Sequence, residues 1–287
     1  MKKRKWVRFA LIAGEVLTLG LMVLLVALGQ GNTAFILLFP AAALALLIVR
    51  SVRGGADAQA LARVEKVYGA YLSDVFAQDA RHRRELLVVL HDTLLPKPPA
   101  CSGRFLSLLK AATTPHERAV LSFFAARACT HEGKNERAEE LYRAAVQEEE
   151  TLSSAWSNLG VLLQVEGRHT EAEECLLRAL AYDPDNAVKR TNLANLYVVM
   201  HRPQEAREQA KRALEKNDRL PEAYLILAIC AAMEKNRAEA NRYVEKCVSL
   251  GMDRARLTAT VSAVLRGDES VLAVRESART GGGKKKK

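Results

Sequence analysis

The feature that most constrains this chain is a recurring spacing of small residues. Counted from Ser153, Gly160 takes place eight of a unit, Ala172 place twenty and Ala179 place twenty-seven. Around them stand Trp156, Leu159, Leu163 and Leu176, and Pro184 closes the unit. The corresponding places 34 residues later hold Leu193, Ala194, Tyr197, Ala206 and Ala213, then Tyr224, Leu227, Ala228, Ala240 and Cys247. One unit earlier they hold Ala125, Ala126, Ala138, Tyr142 and Ala145. Two antiparallel helices approach closely only where side chains are small, larger apolar groups fill the space beside the contact, and proline stops a helix. A unit of this size cannot bury its own apolar face. Four units in unbroken phase (119–152, 153–186, 187–220 and 221–254) therefore predict a stack of helical hairpins.

The Trp, the Leu-Gly pair, the two spaced alanines and the closing Pro of residues 153–186 resemble the tetratricopeptide repeat, whose period is 34 residues. The flanking units depart from the full pattern. Ser122 and Arg190 stand where Trp156 does, and Glu150, Asp218 and Met252 replace Pro184. The resemblance implies an all-α fold, a superhelical solenoid whose first helices line a concave face, and a protein or peptide partner in that groove. In this register the face carries Asn158, Val161, Gln164, Val165, Val188, Asn192, Asn195, Val199, Leu225, Ile229 and Met233. Asn158 and Asn192 lie one period apart, so their amides should follow one another along the groove. They could serve a bound backbone or merely bridge adjacent repeats. Members of the family that hold C-terminal carboxylates use a clamp of Lys, Asn and Arg. Here Asn158 matches, but Phe123 and Val188 stand where the clamp lysines belong, which argues against that mode.

Ahead of the repeats the chain changes solvent. KKRKWVR precedes an apolar run, and the first predicted span covers about residues 7–28, with Glu15 its one ionisable group. Twenty residues at about 1.5 Å each cross a hydrocarbon core of roughly 30 Å. The polar turn at 29–32 leads to a second run at 33–49 that ends at Arg50. The first run is too long for a signal-peptide core, and a second follows at once. Residues 1–53 thus predict a transmembrane helical hairpin, with Ala10, Gly14 and Thr18 spaced for close helix packing. Basic residues flank the pair while the turn carries none. Both ends are therefore expected in the cytoplasm, as for a multi-pass protein of a cell (inner) membrane with a cytoplasmic soluble domain. Glu15 reads as a group that snorkels, is protonated or meets a polar partner rather than as an ion or proton site, and the lipid bilayer becomes a partner.

Residues 54–118 read as a helical linker and N-terminal cap. Leu61, Val64, Tyr68, Tyr71, Leu72 and Val75 keep helical spacing, as on a helix that lies along the membrane, meets a partner or packs on the repeats. LLVVL (86–90) is too apolar to be exposed, RFLSLLKAA (104–112) gives a further helix, and Thr114-Pro115-His116-Glu117 has the form of a capped helix start. Residues 255–275 predict a C-terminal capping helix through Leu257, Val261, Val264 and Leu265. Residues 276–287, ending GGGKKKK, predict a disordered basic tail.

The formal charge of +10 suggests nucleic acid until it is located. Residues 1–53 hold seven basic residues against Glu15, and Lys284–Lys287 four more; the remaining 32 basic and 32 acidic residues balance. A phosphate-tracking groove needs clustered positive charge, so no nucleic-acid partner is expected. The five cysteines lack C-x-x-C spacing, and Cys129 and Cys247 fall at apolar repeat places, as buried thiols in a reducing compartment would. No catalytic grouping, phosphate loop or metal-ligand spacing emerges, so neither an enzyme nor a cofactor is expected. Glu148–Glu150 reads as a solvated run, and Asp183 and Asp185 as helix caps rather than metal ligands. The function expected is a membrane-anchored scaffold that binds a protein or peptide partner in its groove. The alternative is an accessory subunit of a membrane complex that meets its partner through the hairpin.

Overall fold

The computed structural model describes residues 58–95 and 98–268. The expected membrane hairpin (1–53), Glu15 and the basic tail lie outside the described residues. Among the described residues no helix is long and apolar enough to cross a membrane. Contacts divide the chain into two units at Arg63/Val64, and the account below concerns the second.

Among the described residues twelve helices follow in order. The non-repeat segment supplies α1 (Ala58–Leu72), α2 (Ala80–Thr93) and α3 (Ser102–Leu109). The repeats follow as α4 (Pro115–His131) with α5 (Asn135–Glu148), α6 (Ser153–Val165) with α7 (His169–Tyr182), α8 (Ala187–Val199) with α9 (Pro203–Lys216), and α10 (Pro221–Met233) with α11 (Arg237–Ser249). Helix α12 (Arg254–Leu265) closes the stack against α10 and α11. The small residues of the repeat are its contact line: Ala126, Ala194 and Ala228, with Ala138, Ala172, Ala206 and Ala240, are fully buried. Ala145, Ala179, Ala213 and Cys247 complete that line. Gly160 alone of its column lacks a methyl. A Cβ there would stand 2.8 Å from Leu176 Cγ and 3.1 Å from the Ala172 carbonyl oxygen.

Each hairpin turns on the same residue place. Gly133, Gly167, His201 and Lys235, one period apart, all have positive φ (75°, 79°, 56° and 61°). The next N–H in each case reaches back five residues: Lys134 to the Cys129 carbonyl (2.9 Å), Arg168 to Leu163 (2.9 Å), Arg202 to Tyr197 (2.8 Å) and Asn236 to Ala231 (2.8 Å). This is the left-handed helix stop that glycine makes without strain. Helix starts are equally local. Thr114 and Glu117 form the expected reciprocal cap of α4, Asn186 caps α8, Asn236 caps α11 and Asp253 caps α12.

Two charge assignments made from the sequence are corrected. Asp183 does stand at a helix end, the C-cap of α7, where its N–H donates to the Ala179 carbonyl (3.1 Å), and its carboxylate pairs with the buried Lys189 (2.5 Å). Asp185 does not cap but pairs with Lys216 (2.7 Å), and Asn186 caps the start of α8. Glu148, Glu149 and Glu150 are not merely solvated, for they accept from Arg118, His116 and Arg178. A glutamate run at the end of α5 thus meets the bases that neighbouring helices bring to it.

First helices touch the next first helix along the stack (α4 with α6, α6 with α8, α8 with α10), and second helices do not approach each other as closely. The stack therefore curves with first helices inside. Across the wider outer side, long side chains bridge the repeats. Arg168 Nη1 donates to Glu139 (2.8 Å) while its Nε and Nη2 hold Glu171 (both 2.7 Å). One period on, Arg202 Nη1 donates to Glu173 (2.8 Å) and its Nε to Glu205 (2.7 Å).

Candidate functional site

The inner row is built by the period. Places nine and thirteen of each unit hold Arg127 and His131, then Val161 and Val165, then Asn195 and Val199, then Ile229 and Met233. Its middle is open. In α6 and α8, Asn158, Val161, Val165, Asn192, Asn195 and Val199 are half-buried, and Val188 is 57% exposed. Met233 is half-buried too. Asn158 and Asn195 make no side-chain hydrogen bond among the described residues, so both amides are free. Asn192 is committed in part, since its Nδ2 donates to Ser157 Oγ of the preceding repeat (3.2 Å). Of the two roles the sequence allowed these amides, Asn192 takes the bridging one, and Asn158 and Asn195 remain available.

Three of the expected groove residues are not open. Leu225 and Ile229 are 2% and 1% exposed, because α10 is enclosed by α8, α9, α11 and α12. Gln164 is 3% exposed and engaged within the chain. The available row accordingly belongs to the second and third repeats.

Its other end is occupied by the chain itself. Of the three settings open to α1, the last half of the helix takes the packed one. The Tyr71 ring stacks on Phe123 (centroids 5.7 Å apart, planes 20° apart), and its hydroxyl shares a hydrogen bond with Ser154 Oγ (2.7 Å). Tyr68 meets Phe124 edge-on at 5.3 Å. The Phe76 N–H donates to Glu117 Oε1 (2.9 Å), tying the turn after α1 to the cap of α4. Burial alone pushes the Glu117 carboxyl up. The N–H groups of Thr113, Phe76 and Thr114 and the Thr113 hydroxyl outweigh it and hold the group below the usual carboxylate range.

Beside this contact, α2, the segment leading into α3, α3 and α4 line a half-open cavity of about 100 Å³ that includes Arg127 and His131 in its wall. Glu132, also in the wall, is already used. It accepts from Ser102 N (2.9 Å), Ser102 Oγ (2.6 Å) and Lys134 Nζ (2.6 Å), capping α3 from outside that helix. Burial pushes its carboxyl up, but Lys134 and both Ser102 donors prevail and bring it down to about 2. No disulfide joins the five cysteines, and all five are buried. Burial pushes the Cys230 thiol up to about 12 and Cys175 to about 11. No group of three His, Cys, Asp or Glu among the described residues is placed to hold a metal.

Paired helices stacked in register around a curved inner row define a repeat-built helical solenoid. Residues 151–219 match the family described as tetratricopeptide repeat, so this part of the chain consists of such repeats, and proteins built from them mediate protein–protein interaction. Among human proteins the chain is similar to protein O-mannosyl-transferase TMTC1 (36% identical over 74 residues) and TMTC2 (37% over 68 residues). The matches cover 26% and 24% of this chain but only 8% of each human protein. In fold it is similar to MamA 41-end from Desulfovibrio magneticus RS-1, at 14% identity and TM-score 0.51, over 61% of this chain and 97% of that one. YrrB, described as a TPR protein with an unusual peptide-binding site, gives 18% identity and TM-score 0.47 over 62% and 93% of the two chains.

The sequence reading passed over Arg127, His131 and the outer Arg–Glu ladder. Arg127 and His131 could have been found by extending the groove's own places back one unit to α4. The ladder is visible as Glu139/Glu173 and Arg168/Arg202, each pair one period apart.

Proposed function

We propose that this chain is a membrane-held, non-catalytic scaffold that grips an extended polypeptide along the inner row of α6 and α8. The observation that carries the reading is the pair of unpaired amides, Asn158 and Asn195, set among half-exposed valines. An amide both donates and accepts, so it can serve a peptide backbone whatever its sequence. The valines beside it take alternate side chains. Transferase chemistry is not carried over from the human relatives, because the match spans only 8% of each of them. The double variant Asn158→Ala, Asn195→Ala tests the grip. Both side chains are only half-buried and neither is hydrogen-bonded among the described residues, so the fold should hold. Partner capture should fall about tenfold if each amide contributes roughly 0.5–1 kcal/mol. Unchanged capture would contradict the reading.

Attachment to a membrane rests on the two apolar runs within residues 7–49 and their basic flanks. The chain should resist extraction at alkaline pH, and protease should reach its repeats only from the cytoplasmic side. Release into the alkaline supernatant would remove the anchor while leaving the groove untouched.

A further inference from the structure

The cavity at the first repeat differs from the rest of the inner row in its walls. One wall is the groove row itself, through Phe124, Arg127, Ala128 and His131 of α4, and the facing wall comes from the non-repeat segment, including Pro99 and Phe105. The second and third repeats thus offer a row, and the first offers a half-open pocket at its end. Its floor of rings and methyl groups is apolar. A volume of about 100 Å³ corresponds to about three waters at roughly 30 Å³ each, or to one branched aliphatic side chain. The charge is also particular. Arg143, Arg168, Arg202 and Arg207 all hold carboxylates. Arg127 is exposed, has no carboxylate partner among the described residues, and lies over the Phe123 and Phe124 rings at 5.7 and 5.9 Å. The negative charge of Glu132 is offset by Lys134, so the rim is left positive.

We propose that this cavity is the terminal pocket of the groove, and that it receives a branched aliphatic side chain whose sequence neighbour is a carboxylate paired with Arg127. The partner segment is therefore a polypeptide carrying Leu, Ile or Val beside Asp or Glu, and α1 fixes its end by filling the adjoining face with Tyr71. This rests on the groove reading and adds an end point and a charge to it.

Alanine-methyl NMR of the 287-residue chain, observed at Ala128, tests the pocket with three blocked dipeptides: N-acetyl-Leu-Glu-amide, N-acetyl-Leu-Lys-amide and N-acetyl-Gly-Glu-amide. The Leu-Glu probe should shift the Ala128 methyl with a Kd at least tenfold below that of Gly-Glu, from burial of the side chain, and a few-fold below that of Leu-Lys, from the exposed ion pair. Arg127→Glu should reverse the order of the Leu-Glu and Leu-Lys probes, and Arg127→Gln should make them equal. A motionless Ala128 methyl, equal response to the three probes, or an order untouched by either variant would overturn the proposal. If the pocket fails while Asn158→Ala, Asn195→Ala still abolishes partner capture, the groove stands without it. If both fail, the groove reading falls as well.

Discussion

At the residue scale, the repeat is set by what fits between two helices. Gly160 faces Leu176, whereas the other units, with Ala126, Ala194 and Ala228 in that column, hold Tyr142, Ala210 and Val244 at the place of Leu176. Gly160→Ala gains helix propensity of about 1 kcal/mol but forces a methyl into Leu176, at an overpacking cost of about 1–3 kcal/mol. The net expectation is a loss of roughly 1 kcal/mol in urea unfolding, and Leu176→Val in the same chain should recover most of it. The left-handed turn place gives the opposite sign. His201 holds φ 56° where two repeats use glycine, so His201→Gly should stabilise by up to about 1 kcal/mol. Glu132 supplies a pH dependence. Its folded-state pKa of about 2 lies below the ordinary value, so its contribution is full above about pH 4.5 and is lost as pH falls toward 2. Glu132→Gln should flatten the acid limb of a stability–pH curve below about pH 5 and leave its neutral-to-basic shape unchanged. A parallel downward offset with no change of slope would show that the charge itself is not what matters.

At the element scale, the ends of the stack are held by helices that carry no repeat signature. Helix α12 buries Leu257, Val261 and Val264, and Lys235 Nζ donates to the Leu265 carbonyl (3.0 Å). Leu257→Asp places an unpaired charge in that seam. Amide hydrogen exchange should then quicken in α10 and α11 while α4–α7 keep their protection, because each repeat leans only on its neighbours. Uniform loss of protection would mean that the stack unfolds as one body. Most of these elements were legible in the sequence. The period gave all eight repeat helices, and Thr114-Pro115-His116-Glu117 gave the start of α4. Less was legible where a contact depends on helices outside the period. The burial of Leu225 and Ile229 follows from α12 and the enclosure of α10, which no repeat arithmetic contains. Likewise the ring stack of Tyr71 on Phe123 joins a non-repeat helix to the repeats, and spacing within α1 shows only that one face is apolar.

At the scale of the whole molecule, the proposed polypeptide grip rests on curvature and on what the inner side leaves unsatisfied. First helices crowd together and expose a row of amides and valines. Second helices spread apart and lock their spacing with Arg168 and Arg202. Trp156 and Arg190 show how tolerant the scaffold is. Each occupies the fourth place of its unit, and each donates to the carbonyl six residues back, Glu150 at 2.8 Å and Pro184 at 2.7 Å. A tryptophan and an arginine thus make the same tie, which is why the loss of the signature Trp leaves the fold intact. The binding row was only partly legible for a related reason. Asn158, Asn192 and Asn195 look alike in sequence, and only the position of Ser157 separates the bridging amide from the free ones.

The most direct test is site-specific photocrosslinking in cells, with the probe residue placed at Val188 on the inner row or at Leu177, which is 48% exposed on the second helix α7. The account predicts one polypeptide crosslinked from Val188 and lost on adding Asn158→Ala and Asn195→Ala, with no such adduct from Leu177. An adduct from Leu177 alone, or equal adducts from both that survive the two substitutions, would contradict it.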